Sequence, residues 1–83
     1  MPYIKQQLKF NADEVVEKMR ENGIIADGDL NYILFKYCKK YIKPSYNNYK
    51  NYIGELHQCI VEIERRILAP YEDEKIKENG DII

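Results

Sequence analysis

The sequence predicts an all-α fold of three to four helices, one of them a long amphipathic helix spanning about 46–69. Three observations lead there. Apolar residues recur at the i, i+3, i+4, i+7 spacing of a helix face in separate stretches. Residues that start and stop helices bracket those stretches. In the third stretch Tyr49, Leu56 and Ile63 repeat every seven residues, the signature of a long stripe rather than a short surface helix.

Residues 11–22 form the first predicted helix, with Ala12, Val15, Val16 and Met19 on one face. Asn11 as N-cap with Glu14 three residues on is a capping-box variant, and Phe10 with Val15 is spaced for a hydrophobic staple. Asn22-Gly23 supplies the stop, because both residues tolerate the left-handed conformation that ends helices. Ile24 and Ile25 then cross toward the core, and Asp27-Gly28-Asp29 turns the chain and caps the next helix.

The second helix runs from about Leu30 to Ile42, with Leu30, Ile33, Leu34, Tyr37, Cys38 and Tyr41 on one face. Pro44 ends it, since proline offers no donor and biases the preceding residue away from helical geometry. Ser45 is placed to cap the third helix. There Tyr52 and Cys59 fall three residues after the heptad positions, and Ile53, Ile60 and Ile67 four after. The resulting apolar stripe is wider than a pure coiled-coil seam.

A helix over 46–69 would be about 36 Å long, whereas a compact chain of 83 residues has a radius of gyration of about 12 Å. The stripe should therefore overhang its own domain, and a second copy is the simplest cover. Tyr49, Tyr52, Leu56, Ile60, Ile63 and Ile67 are the expected oligomer interface.

Ala69-Pro70-Tyr71 is expected to break or kink the pattern, with Pro70 equally able to open a new helix as its first residue. The segment after it reads as a short polar helix, acids first and lysines last as the helix dipole favours, stopped by Asn79-Gly80. Asp81-Ile82-Ile83 then frays, or Ile82 and Ile83 pair with Tyr3 and Ile4 as two very short strands.

Composition limits function. One domain, 1–83, is the most this length supports, and a domain this small is marginal alone. Thirteen basic and fourteen acidic residues give a net charge of -1, without the global positive charge of a duplex-DNA binder. No stretch reaches the apolar length of a membrane span. The start lacks a secretory core, which places the protein in the cytoplasm. Cys38 and Cys59 read as small apolar residues rather than a disulfide. With His57 they supply too few ligands for a metal. His57 has no carboxylate aimed at it, and i, i+2 spacing puts it on a different face from Cys59. No enzyme and no cofactor is expected.

Two constellations remain. Eight tyrosines stand against two phenylalanines, and between Asp29 and Glu55 there is no acid, while Lys36, Lys39, Lys40, Lys43 and Lys50 lie in that interval. Rings that stack on bases beside lysines that meet phosphates would bind nucleotides. The plainer reading has the tyrosines rimming a core and the lysines solvating it. In the long helix, Glu62 is spaced to pair with Arg65 and Arg66, and an arginine pair also suits a phosphate or carboxylate. Tyr71 is the expected anchor of the tail.

The opening Met1-Pro2-Tyr3-Ile4-Lys5-Gln6, the central Gly28-Asp29-Leu30-Asn31-Tyr32 and the closing run from Arg65-Arg66 through Ala69-Pro70-Tyr71-Glu72-Asp73-Glu74-Lys75-Ile76-Lys77-Glu78-Asn79-Gly80-Asp81 resemble a family of short uncharacterised proteins of bacteriophages and bacteria. The resemblance runs nearly end to end. Members tend to carry a valine and tyrosine where this chain has Ile82 and Ile83, and a cysteine at Gln58. The resemblance implies a phage or mobile-element setting, hence the host cytoplasm, and nothing catalytic.

Two functions from different classes are expected. The first is a small helical homo-oligomer that holds a small anionic ligand in inter-subunit clefts, most concretely sequestering a nucleotide signal of host defence. Its contacts would be Tyr3, Lys5, Lys36, Lys40, Arg65, Arg66 and Tyr71. The second is a structural or protein-interaction module with no small ligand, in which the oligomer, or a host protein docked on the long helix, is the function.

Overall fold

The computed structural model describes residues 1–83, and every regular element in it is helical. Helix α1 spans Gln6–Glu21, α2 Gly28–Tyr41, α3 Tyr46–Ile63 and α4 Ala69–Asn79, with a π-helical turn over Glu64–Leu68 between the last two. No strand forms: the Tyr3–Ile4 and Ile82–Ile83 pairing is absent. Two isolated dipeptides would gain too few hydrogen bonds to order themselves, and Ile82 and Ile83 are fully exposed.

Helix α1 begins five residues before the predicted cap. Lys5 is the boundary residue and offers no side-chain cap, so Asn11 lies inside the helix. The reason is local. Gln6, Gln7, Leu8 and Lys9 are all good helix formers with no breaker among them, and Leu8 extends the apolar face of Ala12, Val15 and Met19 by one further turn. A cap contributes only about 1 kcal/mol and does not stop a helix that its sequence can propagate.

The end of α1 matches the expectation. Gly23 takes a φ of 68°, the Ile24 N–H donates to the Met19 carbonyl at 3.0 Å, and the Gly23 N–H donates to that of Arg20 at 3.0 Å. This pair of bonds is a Schellman motif, which needs a left-handed residue where Gly23 stands. Helix α2 starts at Gly28, slightly before Leu30, because the Asp27 carboxylate accepts from the Asp29 N–H at 3.0 Å. Ser45 caps α3, its hydroxyl accepting from the Asn48 N–H at 3.0 Å. The Asn48 side chain donates to the Lys43 carbonyl at 3.0 Å across Pro44.

Pro70 stands in the first turn of α4, one of the two placements expected of it, and the regular α-winding is interrupted just before it. Backbone dihedrals stay helical from Ile63 through Ala69; the Ala69 N–H reaches back five residues to the Glu64 carbonyl. In a regular α-helix the Pro70 ring would press on the Arg66 carbonyl and leave it without a donor. The wide turn just before Pro70 relieves that clash by inserting one extra residue into the helical winding. Gly80, at φ 84°, then ends α4 as expected.

The chain divides into two compact units, Tyr3–Tyr52 and a second made of Ile53–Ile83 with Met1–Pro2. In the first, α2 packs on the opening turns of α3 through Tyr52, whose hydroxyl donates to the Leu34 carbonyl at 2.6 Å. Around it Leu30, Ile33, Leu34, Cys38 and Ile42 are half-buried, close to the predicted face of α2. The second unit is one continuous helical rod, with the Met1 ammonium paired to Glu55.

Neither unit contains a single buried residue. Val15 and Val16 are each 60% exposed, Ile25 59% and Ile67 66%, so the core toward which Ile24 and Ile25 were expected to run does not form within one chain. The accessible surface is 7804 Å², about 2,600 Å² above what a monomer of this mass ordinarily exposes.

Candidate functional site

Two surfaces carry the predicted site residues, one in each unit. In Tyr3–Tyr52 the helical spacing of α2 brings lysines onto tyrosine rings. Lys36 donates to the Tyr32 hydroxyl at 3.0 Å and stands 5.2 Å from that ring's centre. Lys40 lies 5.5 Å over Tyr41, and Lys50 on α3 5.8 Å over Tyr46. The hydrogen bond from Lys36 favours its charged form, which raises its pKa above the ordinary value. Tyr32 is absent from the residues expected to form the site, although its i, i+4 spacing to Lys36 is a signal that could have found it.

The tyrosines also meet one another. Tyr37 is stacked on Tyr52 with ring centres 6.3 Å apart and tilted against Tyr41 at 5.6 Å. Tyr37 and Tyr41 remain more than half exposed. The Tyr52 hydroxyl turns inward, to backbone, rather than outward as in a rimmed core. Tyr3 and Lys5 lie at the entry to α1 and are exposed.

Burial raises the pKa of Tyr52 above its ordinary 10.0, helped by the electrostatic influence of Cys38 and Tyr37 beside it. Only the neutral phenol donates to the Leu34 carbonyl. Its contribution to the α2–α3 packing is therefore intact below about pH 10 and is lost as pH rises through the higher folded value. Absorbance titration of the tyrosines should contain one component later than the rest, and Tyr52→Phe should remove that component. Its persistence in the variant would assign it elsewhere.

In the second unit the same reasoning places a stripe. Ile53, Leu56, Ile60, Ile63 and Ile67 line one side of the rod; Leu56 alone is half-buried, and Ile60, Ile63 and Ile67 are about half or more exposed. Cys59, at the edge of the stripe, is exposed and free, while Cys38 is half-buried beside Tyr52. The π turn redirects the residues beyond it. At about 100° per residue, an unbroken α-helix would carry Leu68 about 120° and Tyr71 about 60° away from the line through Leu56. One inserted residue turns both back to within about 40° of it, so Leu68 and Tyr71 extend the stripe into α4.

Arg65 grips Glu62 with two bonds, at 2.8 and 3.3 Å, and the Glu62 side chain is 21% exposed. This i, i+3 pair was legible from spacing. Arg66 is exposed, and Tyr71 is 60% exposed with Lys75 5.5 Å over its ring. The tail acids pair locally as well, Glu74 with Lys77 and Glu78 with Lys75. Within one chain Tyr71 is thus not the buried anchor that its size suggests.

Concave features are shallow. A depression of 390 Å³ on α1, lined by Phe10, Asp13, Glu14, Glu17, Lys18 and Glu21, is acidic and unsuited to an anion. A second, of 330 Å³, lies along the end of α4 around Ile76 and Gly80. No three histidine, cysteine or carboxylate side chains converge as metal ligands, and no helix is long and apolar enough to cross a membrane. What the geometry presents is a lysine-over-tyrosine face on α2 and an uncovered apolar rod.

No curated protein and no solved structure matches the chain. A family model described as "Domain of unknown function (DUF6899)" matches residues 1–82, and the chain belongs to that family.

Proposed function

We propose that the protein is a non-enzymatic interaction module whose working form is a helical oligomer of itself. One observation carries this: two folded units with strong helix signals contain no buried residue. Amphipathic helices derive most of their stability from packing one face rather than from intrinsic propensity, so faces this exposed call for a cover. The area in excess of an ordinary monomer, about 2,600 Å² per chain, is on the scale that obligate oligomers bury.

The test is mass and helicity together. Sedimentation equilibrium at micromolar concentration should give at least a dimer, with a thermal midpoint that rises with protein concentration, as mass action requires. A monomer that melts cooperatively at a concentration-independent temperature overturns the reading.

A second reading, sequestration of a small anionic ligand such as a nucleotide signal, is favoured by the α2 surface. There Lys36 and Lys40 sit over the exposed Tyr32 and Tyr41 rings, a combination that suits a base and its phosphates. Against it stands the fact that these lysines are already engaged within the helix. A thermal-shift screen of cyclic nucleotides and cyclic ADP-ribose isomers separates the two. A shift lost in Lys36→Ala/Lys40→Ala favours the ligand reading, and an unmoved midpoint at millimolar ligand disfavours it.

A further inference from the structure

We infer that the outward side of α2 is a contact surface for a single-stranded nucleic acid, with the Tyr32 and Phe35 rings stacking on bases and Lys36, Lys39 and Lys40 meeting phosphates. The inference shares α2 with the small-ligand reading, replaces the lone nucleotide by a strand, and stands whether or not the protein self-associates.

Helical spacing sorts α2 into two sides. At about 100° per residue, the half-buried residues Leu30, Ile33, Leu34 and Cys38 share the side that Tyr52 of α3 meets at the Leu34 carbonyl. Tyr32, Phe35, Lys36 and Lys39 fall together on the opposite side, within an arc of about 100°, and Lys40 borders them next to Lys36. Tyr32 is 61% exposed and Phe35 69%. At i, i+3 spacing the two rings are neighbours, so the exposure is a paired aromatic surface rather than a lone apolar side chain of the kind every protein carries.

Charge gives the sign of the occupant. Five lysines and no acid lie between Asp29 and Glu55, although the whole chain has a net charge of -1. Asp29, the acid on this side of α2, is in its first turn, about 10 Å along the axis from Lys36. The result is a local positive patch on a chain with no general attraction for anions, which suits a polyanion that touches it here. Lys36 spends one of its three N–H donors on the Tyr32 hydroxyl and keeps two for a phosphate. That bond also holds the ammonium beside the ring, 5.2 Å from its centre, so a base and its phosphate can be met together.

The rings select a single strand. Bases in a duplex are stacked on one another and show side chains only their edges, whereas a single strand offers faces on which aromatic rings stack. An acidic protein surface would satisfy the lysines and leave both rings without a planar partner. Stacking accepts any base, so binding should be tolerant of sequence.

Fluorescence anisotropy of a labelled oligothymidylate of about twenty nucleotides, titrated with the full-length protein at low salt, tests this against a duplex of the same length. The strand should bind, and the duplex at least roughly tenfold more weakly. Phe35→Ala should lower the affinity for the strand roughly tenfold, and Phe35→Trp should keep it. Lys36→Ala and Lys39→Ala should each reduce the slope of log affinity against log salt by about 0.7. Circular dichroism checks the fold of each variant; if Phe35→Ala loses helix, the lysine slopes and Phe35→Trp decide.

Absence of strand binding at about 100 μM protein overturns the inference. So does equal affinity for the duplex, or a folded Phe35→Ala that binds unchanged, because the rings then take no part. Competition separates the other occupants. Displacement of the strand by polyglutamate at matched charge means an acidic protein partner. Displacement by adenosine monophosphate at matched nucleotide concentration means a single-nucleotide site, which overturns the strand and leaves the small-ligand reading standing. The assembly reading is decided by sedimentation mass, which none of these variants should move.

Discussion

Leu56→Asp is expected to abolish assembly and to take most of the helicity of residues 53–79 with it. Leu56 is the most sheltered side chain of the stripe in the second unit, and self-association through that stripe would cover it further. Burying a leucine is worth about 2 kcal/mol, and a charge placed in an apolar seam adds a further cost of at least about 1 kcal/mol. A two-fold interface counts the change twice. The dissociation constant should rise by roughly four orders of magnitude, enough to make the protein monomeric at any practical concentration. Sedimentation with far-ultraviolet circular dichroism is the measurement. The control is Lys36→Ala, which changes the tyrosine–lysine face and should leave the mass unaltered. If Leu56→Asp keeps both the mass and the helical signal, the stripe is not the assembling surface.

Much of this architecture was legible in the sequence because it is written locally. The Asn22-Gly23 stop, the Asp27 and Ser45 caps, the apolar face of α2 and the Asn79-Gly80 end each depend on two to five neighbouring residues, and their chemistry reads the same in a list as in space. The misplaced start of α1 has the same origin. A capping box at Asn11–Glu14 and an unbroken helix through it are both locally permitted, and the extra turn from Gln6 decides between them by adding Leu8 to the apolar face.

The candidate site was legible only in its spacings. Lys36 to Tyr32 and Glu62 to Arg65 obey the i, i+4 and i, i+3 rules, but the inward turn of the Tyr52 hydroxyl to Leu34 depends on how two helices meet. The π turn was hidden for a different reason. Pro70 announces that something must happen to the winding, yet a kink, a new helix and a wide turn all satisfy its missing N–H. Which one occurs determines whether Tyr71 belongs to the stripe.

That dependence gives the second large effect. Pro70→Ala removes the ring that would press on the Arg66 carbonyl in a regular α-helix, so the reason for the inserted residue disappears. A proline inside a helix costs about 3 kcal/mol relative to alanine, and in an isolated rod the substitution should therefore raise helix content. Regular α-winding would at the same time return Leu68 and Tyr71 to about 120° and 60° from the stripe, and the apolar line would end at Ile67. The part of the stripe that Leu68 and Tyr71 supply would be lost from the assembling surface, a change worth about 2 kcal/mol. The expected result is a pair of opposed changes: a stronger helical signal under monomeric conditions, and a dissociation constant raised by roughly thirtyfold. Circular dichroism at low concentration and sedimentation at high concentration read the two separately. Stronger helicity with unchanged or tighter association would show that the wide turn only accommodates Pro70 and does not aim Tyr71. A loss of both would show that the proline-bearing turn is needed for the rod itself.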